Sequence, residues 1–288
     1  GELISADSRQ VYKNMDIGTG KEWGEGVVIH GYDLVEPTEG FSVSQFERFA
    51  QKKIVEILKK GKLPILVGGT GLYIKAVVDG IPTLSVPQDK TLRKELKSAG
   101  VGDLYDNLAV LDPSKAASLN LSDSKNPRRL IRAIEVAQWN IAHGSKEGGE
   151  IKKRKKKNKY DTLFIGISVE KELLLERIEK RVEERMNGGF VYEIESLLKS
   201  GVSWDNQSMA SLGYSEAEYF LKEGLSYEDF IERWVINEFK YAKRQITWFK
   251  KDERINWFDV QNSKYPVSVE KMVKKWYSTG ERDYAKKD

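Results

Sequence analysis

Short apolar runs alternate with amphipathic stretches along the first third of the chain. One run ends at Asp7, another ("LPILV") ends at the turn Gly68-Gly69-Thr70, and "HGYDLVEP" is typical of a further strand that ends at Pro37. Strands separated by helices predict a parallel sheet covered by helices. Ligands of such sheets bind beyond the carboxyl ends of the strands, so Asp7 and the glycine turn are expected at the ligand site.

The stretch "SVSQFERFAQKKIVEILKKG" repeats apolar residues at helical spacing, which predicts a helix between two of these strands. We predict that a capping box of Ser44 and Glu47 begins this helix and that Gly61 ends it. Two longer helices are predicted further along the chain. They are "KELLLERIEKRVEERMNGG", which ends at Gly188 and Gly189, and "YEDFIERWVINEFKYAKRQITWF".

From about Val86 the pattern changes to several short helical stretches without a convincing strand. Strand character returns at "YDTLFIGISV" and again at "RINWFDV". We therefore predict a discontinuous α/β core over residues 1–85 and 159–262, a helical insert over 86–158, and a C-terminal tail over 263–288.

The composition narrows the class of protein. The 288 residues are 40% hydrophobic and 32% charged, which is typical of a soluble globular protein. No apolar run is long enough to cross a membrane, and no export signal stands at the start, so we expect no membrane association. The absence of cysteine excludes disulfides and thiolate metal sites and suits the reducing cytoplasm.

Two histidines are present, His30 and His143, so an imidazole-based metal site is not expected. A metal cofactor would be a hard cation with oxygen ligands, and Mg²⁺ is the expected one.

Basic residues are unevenly distributed although the formal net charge is only +4. The dense block "KKRKKKNK" runs from Lys152 to Lys159, and "NPRRLIRAIE" and "KYAKRQITWFKK" add further positive charge. A single run of this kind is usually a solvated surface. Several of them, in a chain that also contains phosphate-site signals, favour a nucleic-acid partner.

Candidate chemistry begins at "DSRQVY", where Asp7 is followed by a hydroxyl, a guanidinium and an amide. An aspartate after a strand could equally cap the next helix. In "GGTGLY", glycines allow a ligand to approach the backbone, and Thr70 adds a hydroxyl for phosphate or Mg²⁺-bound water. The glycines alone would also fit an ordinary strand-to-helix turn.

Two arginines, Arg177 and Arg181, stand four residues apart on one helix face. An arginine that faces a phosphate site forms paired charged hydrogen bonds. The alternative is a surface ion pair with Glu176 or Glu184, which would contribute little.

Taken in order, these segments resemble the tRNA dimethylallyltransferase family from residue 1 to about residue 260. The matching segments are "DSRQVYKNMDIGT", "DLVEPTEGFSVSQF", "PILVGGTGLYIKAV", "DPSKAASLNLSDSKNPRRLIRAIEV", "ERIEKRVEERMNGGFVYEIESLL", "SLGYSEAEYFL" and "YAKRQITWFK".

This resemblance implies a P-loop NTPase-like α/β fold with a helical insert that closes over the tRNA anticodon stem-loop. It implies transfer of a dimethylallyl group from dimethylallyl diphosphate to N6 of adenosine-37, with Mg²⁺ as cofactor. The residues it makes catalytic are Asp7 as general base, Thr70 and Arg181. The residues it assigns to the diphosphate are Gly68, Gly69, Thr70 and Arg181. The residues it assigns to tRNA are Asp7, Ser8, Arg9, Gln10, Leu72, Arg128, Arg129, Arg132, Lys243 and Arg244.

The chain departs from that family in two places. It contains no G-x-x-x-x-G-K-[ST] motif, so we expect that the first strand and the P-loop are missing, and that the chain as given is incomplete at its N-terminus and nearly inactive alone. It also has Glu238-Phe239 where family members commonly have Thr-Arg, which removes a positive charge from a helix expected to face tRNA.

Other functions remain open at this point. An adenylate isopentenyltransferase shares the core chemistry, but a free nucleotide would not need the helical insert. A small-molecule P-loop kinase would suit the glycine turn and not the long insert. A tRNA-binding relative without catalysis is the alternative outside the enzymes. A monomer is our default expectation.

Overall fold

The structure is a computed structural model that describes residues 1–143 and 160–279, so the predicted basic block Lys152–Lys159 lies outside the described residues. The strands are β1 (Glu2–Ser5), β2 (Ile29–His30), β3 (Pro64–Val67), β4 (Phe164–Ser168) and β5 (Ile255–Asp259). The helices are α1 (Val43–Lys59), α2 (Gly71–Val78), α3 (Lys90–Leu96), α4 (Val101–Leu111), α5 (Pro113–Ala117), α6 (Leu121–Ser124), α7 (Pro127–Ala142), α8 (Lys171–Asn187), α9 (Phe190–Lys199), α10 (Tyr214–Glu223), α11 (Tyr227–Phe249) and α12 (Val267–Thr279).

The strands form two small sheets, and every pairing between named strands is parallel. In the first sheet β1 lies between β2 and β3, with Leu3 opposite both Ile29 and Ile65. In the second sheet β4 pairs with β5. The mixed α/β class with parallel strands and flanking helices, as predicted, is confirmed.

Helix α1 begins two residues earlier than the predicted capping box. Ser42 has an extended backbone, and its hydroxyl accepts a hydrogen bond from the N–H of Gln45 at 3.3 Å. The side chain of Gln45 completes the box by accepting from the N–H of Ser42 at 3.0 Å. Ser44 lies inside the helix, so the prediction of a Ser44–Glu47 box was wrong.

The strand predicted over "HGYDLVEP" is also wrong in extent. Only Ile29–His30 pairs with β1, and the chain then turns through Gly31 and Asp33, which both have positive φ. An isolated parallel bridge between Tyr12 and Val35 is all that follows. A left-handed residue rotates the chain out of the strand direction, which ends the pairing.

The chain divides into two compact units, Gly1–Val78 with Tyr160–Asp288 and Asp79–Lys159. We call the first the α/β unit and the second the helical unit. The described part of the helical unit, residues 79–143, contains helices α3 to α7 and no strand, and the helical insert over residues 86–158 stays a prediction.

Aromatic residues from both segments form the core of the α/β unit. Phe46 of α1 stacks on Tyr73 of α2 with ring centroids 4.1 Å apart. Phe190 of α9 lies 4.5 Å from Trp234 of α11 and 5.0 Å from the ring of Tyr214. All five belong to one continuous buried cluster, so the two segments fold as one body.

The helical unit has a separate core, which centres on Leu104, Leu108, Leu130 and Ile134. Glu135 is buried beside it and pairs with arginines of the same unit. A unit with its own apolar core can fold independently. No helix in the described residues is long and apolar enough to cross a membrane.

Candidate functional site

The carboxyl ends of β1 and β3 meet at the candidate site. The N–H of Ala6 donates to the carbonyl of Val67 at 2.7 Å, and the N–H of Thr70 donates to the carbonyl of Ala6 at 3.2 Å. Gly68 lies so close to Ala6 that a Cβ there would stand 2.4 Å from the Ala6 oxygen. This close backbone contact places the predicted residues Asp7 and Thr70 side by side, as the parallel sheet required.

Asp7 is held by its own turn. Its Oδ1 accepts the N–H of Arg9 at 2.7 Å and the N–H of Gln10 at 3.4 Å. Burial raises the pKa of the Asp7 carboxyl above its ordinary value, although these two hydrogen bonds and the positive charge of Arg9 oppose the rise. The negative charge of Glu238 adds to the increase in pKa. A partly buried carboxylate with a raised pKa is suited to accepting a proton.

Hydroxyl groups connect the two strand ends. The Oγ1 of Thr70 accepts the N–H of Ser8 at 3.1 Å and lies 3.4 Å from the Ser8 hydroxyl. Thr70 also precedes α2, which begins at Gly71. The site therefore presents two hydroxyls and the start of an eight-residue helix at one place, and this is a favourable environment for phosphate oxygens.

Gln10 is engaged in supporting the site. The hydroxyl of Ser5 donates to its Oε1 at 2.7 Å, and its Nε2 donates to the carbonyls of Thr19 and Gly20. Arg9 donates from its guanidinium to the carbonyl of Gln207 at 2.8 Å. The predicted tRNA-binding roles of Ser8, Arg9 and Gln10 stay predictions. In the structure each of the three forms a hydrogen bond within the protein.

The C-terminal half of α11 lies against the glycine turn. A Cβ on Gly69 would stand 1.8 Å from the side-chain nitrogen of Gln245, and a Cβ on Gly71 would stand 2.1 Å from Nε1 of Trp248. The absence of side chains on both glycines lets the amide and the indole approach the turn. Gln245 and Trp248 therefore belong to the candidate site.

Helices α8 and α11 contribute a cluster of charges. The Glu238 carboxylate binds the guanidinium of Arg181 at 3.1 Å and that of Arg185 at 3.0 Å. The indole N–H of Trp234 lies 3.4 Å from the same carboxylate. Arg181 was predicted to bind diphosphate, and in this structure its partner is Glu238 rather than Glu176 or Glu184.

The remaining predicted tRNA contacts of the α/β unit are surface residues. Leu72, Lys243 and Arg244 are exposed. The ammonium of Lys243 lies 5.0 Å from the ring of Phe239, and the guanidinium of Arg244 lies 5.5 Å from the ring of Tyr241. Cations that rest on aromatic rings remain available to phosphate oxygens.

The three predicted arginines of the helical unit differ in their surroundings. Arg128 is exposed, and Arg129 is exposed and pairs with Asp123. Arg132 donates to the carbonyls of Thr83 and Val86 at 2.7 and 2.9 Å and to Glu135. The guanidinium of Arg132 thus holds α7 to the segment of residues 83–86, which lies before α3, whereas Arg128 presents its charge to solvent.

The sequence model of the family described as IPP transferase matches residues 10–252. The chain belongs to the IPP transferase family. A tRNA dimethylallyltransferase of Finegoldia magna is 38% identical, with 96% of this chain and 89% of the relative covered. One of Caldanaerobacter subterraneus is 40% identical, with coverage of 92% and 85%.

Solved structures of the family agree. A tRNA isopentenylpyrophosphate transferase of Bacillus halodurans is 35% identical with a TM-score of 0.69 and covers 96% of this chain and 88% of its own. A eukaryotic dimethylallyltransferase acting on tRNA is 26% identical with a TM-score of 0.80, and the match covers 98% of this chain and 75% of the other. This likeness confirms the P-loop-like α/β fold that the resemblance implied for this chain.

Oxygen ligands for a metal are few in the site of this family member. Within residues 1–143 and 160–279 no group of three histidine, aspartate or glutamate side chains could hold an ion. The site does offer the Asp7 carboxylate and the hydroxyls of Ser8 and Thr70. This set suits Mg²⁺, which uses one or two carboxylates and takes its remaining ligands from phosphates and water.

Sequence reasoning missed Gln245, Trp248 and Arg185 as members of the site. The motif "KRQITWF" contained two of them, but only its basic residues were assigned. Arg185 stands four residues after Arg181, so the spacing that paired Arg177 with Arg181 would also have found it.

Proposed function

We propose that this protein transfers a dimethylallyl group from dimethylallyl diphosphate to N6 of adenosine-37 in tRNA. The observation that carries the proposal is the position of the partly buried Asp7 carboxylate beside the Thr70 turn, in a chain of the IPP transferase family. A proton acceptor and a phosphate-binding turn at one sheet edge are the two elements that such a transfer requires.

Asp7 acts as the general base in this mechanism. N6 of adenine is a poor nucleophile because its lone pair is delocalised into the ring. A carboxylate that accepts the N6 proton as the new carbon–nitrogen bond forms accelerates such a step by about 10²–10⁴-fold. The raised pKa of Asp7 makes it a stronger base than an exposed aspartate, and the N–H groups of Arg9 and Gln10 hold it in place.

The leaving diphosphate is stabilised at the glycine turn. Negative charge grows on the diphosphate oxygens as the allylic carbon–oxygen bond breaks. The Thr70 hydroxyl and the Gly68-Gly69 backbone lie at the strand end, and the Arg181 guanidinium supplies the positive charge. Mg²⁺, held by the hydroxyls of Ser8 or Thr70 together with the diphosphate, would neutralise further charge and leave the Asp7 carboxylate to accept the proton.

A base in the anticodon loop must leave its stack before N6 can reach Asp7. Exposed cations such as Arg128 in the helical unit, and Lys243 and Arg244 in the α/β unit, fit a role in binding phosphates of the anticodon stem-loop. An enzyme for free adenosine monophosphate would not need them. We propose that the protein acts as a monomer, and its lack of cysteine suits the cytoplasm.

The test measures prenyl transfer with the full product of the gene, including any residues encoded before Gly1. Labelled dimethylallyl diphosphate is supplied with tRNA or with adenosine monophosphate. We expect labelled tRNA only, and Asp7→Asn should abolish labelling while tRNA affinity stays within about twofold. Labelling of the free nucleotide would identify an adenylate isopentenyltransferase, and tRNA binding without transfer by the wild type would identify a binding protein.

A further inference from the structure

Glu238 occupies an unusual position for an acidic residue. Each of its carboxylate oxygens faces a different arginine: Oε2 lies 3.1 Å from Arg181 and Oε1 lies 3.0 Å from Arg185. Its side chain is only 12% exposed. Two guanidinium groups that converge on one carboxylate form the arrangement that also binds a phosphate group.

The side chains of the two arginines differ in solvent exposure and therefore in their freedom to move. Arg185 is 12% exposed, and its guanidinium lies 6.0 Å from the ring of Trp234. Arg181 is 48% exposed, so its side chain can turn towards a ligand without disturbing the core. Arg185 therefore holds the carboxylate in place, whereas the bond to Arg181 can be exchanged.

The cluster also lies near the candidate site. A Cβ on Gly20 would stand 2.6 Å from a guanidinium nitrogen of Arg185, and the Gly20 carbonyl accepts a hydrogen bond from the side chain of Gln10, whose N–H donates to Asp7. A diphosphate bound beside Asp7 and Thr70 would therefore be exposed to the same carboxylate. Two anions in one region repel each other unless a cation is shared between them.

We propose that Glu238 is an internal competitor for the diphosphate: it binds Arg181 in the free protein, and the incoming diphosphate must displace it. This inference rests on the proposed function, because it assigns the diphosphate to that site. The consequence is selectivity between anions. A diphosphate with several negative charges can displace a carboxylate from Arg181, whereas inorganic phosphate competes poorly.

The experiment measures binding of inorganic pyrophosphate and inorganic phosphate by titration calorimetry. Glu238→Gln removes the charge and keeps an oxygen that accepts hydrogen bonds. Its matched control is Glu232→Gln, which removes the same charge from an exposed position of the same helix. We expect Glu238→Gln to bind pyrophosphate at least about tenfold more tightly than wild type, and Glu232→Gln to stay within about twofold.

Further variants identify the cause. In Arg181→Ala/Glu238→Gln the gain should disappear, because the guanidinium that was released is gone. Inorganic phosphate should bind measurably to Glu238→Gln and at least about tenfold more weakly to wild type. Thermal unfolding shows whether Glu238→Gln is folded. If it is not, Glu238→Asp keeps Arg185 paired through a shorter side chain and should still tighten pyrophosphate binding.

The inference is overturned if the folded variants bind pyrophosphate no more tightly than Glu232→Gln, or if the gain persists without Arg181. The proposed function is judged separately by transfer to tRNA. Wild-type transfer without the binding difference would refute the role of Glu238 alone. The binding difference without any transfer to tRNA would support the competitor and refute the proposed function.

Discussion

The contact between Gly68 and Ala6 predicts a large effect of one methyl group. In Gly68→Ala the new Cβ would stand 2.4 Å from the oxygen and 2.5 Å from the carbonyl carbon of Ala6. Both are backbone atoms, which cannot rotate away as a side chain would. The end of β3 must therefore move by about 1 Å to restore an ordinary contact distance.

The cost of this movement can be worked out from the bonds at the site. Overpacking of this kind costs about 1–3 kcal/mol. The N–H bonds from Ala6 to Val67 and from Thr70 to Ala6 span the same junction, and weakening them adds about 1 kcal/mol. We expect a loss of about 2–4 kcal/mol in the free energy of unfolding. A shift of Thr70 by 1 Å should also reduce transfer by about 10²-fold.

Urea denaturation of the wild type and Gly68→Ala, followed by tryptophan fluorescence, measures the first effect. The control is Gly24→Ala, because Gly24 is exposed and its nearest neighbour is the end of the Val27 side chain at 3.3 Å. That control should stay within about 0.5 kcal/mol of wild type. If Gly68→Ala is also within 0.5 kcal/mol, the tight junction between the two strand ends does not exist and the reasoning fails.

Three further predictions concern carboxylates. Asp7→Asn should raise the unfolding temperature at pH 7, because the raised pKa of Asp7 means that ionisation of its carboxyl destabilises the folded state. The difference in unfolding temperature should shrink as the pH falls towards the pKa of the unfolded chain, near 3.8. A lower unfolding temperature of the variant at pH 7 would contradict this prediction. The Glu193 carboxylate accepts hydrogen bonds from the N–H groups of Asp16, Ile17 and Gly18 and from the Tyr214 hydroxyl. Glu193→Ala should therefore lower the free energy of unfolding in urea by about 2–4 kcal/mol. The control Glu195→Ala, at an exposed position, should lower it by less than about 0.5 kcal/mol. Hydrogen bonds from Lys62 and His30, and then from Lys60, lower the pKa of Glu2 to about 2, so its contribution to stability is present above pH 4.5 and is lost as the pH falls towards 2. Glu2→Gln should flatten this part of the acid unfolding curve, and an unchanged curve would refute the assignment.

The sequence was sufficient to predict those helices whose periodicity and terminal residues lie within the helix itself. The helix of "YEDFIERWVINEFKYAKRQITWF" runs over the predicted residues, and the helix before Gly188 ends at that glycine. The meeting of Asp7 and Thr70 also followed from the sequence, because parallel strands place their carboxyl ends at one edge.

The remaining features depend on contacts between distant residues. Glu238 was identified as a departure from the family, but its bonds to Arg181 and Arg185 join two helices and leave no local pattern. The approach of Gln245 to Gly69 likewise depends on how α11 packs on the turn. Neither contact produces a residue periodicity or a helix-capping motif that could be identified in the sequence.

The division of the α/β unit into two segments has a consequence for synthesis on the ribosome. Phe46 needs Phe190 and Trp234 to complete its core, and the chain must be extended by about 150 residues after Val78 before Trp234 exists. At ~5–20 residues per second this takes about 8–30 s. The helical unit has its own core and can fold during that interval. In the nascent chain the helical unit can therefore be folded while strands β1 to β3 still expose their apolar surface. Chaperones would be most needed during this interval.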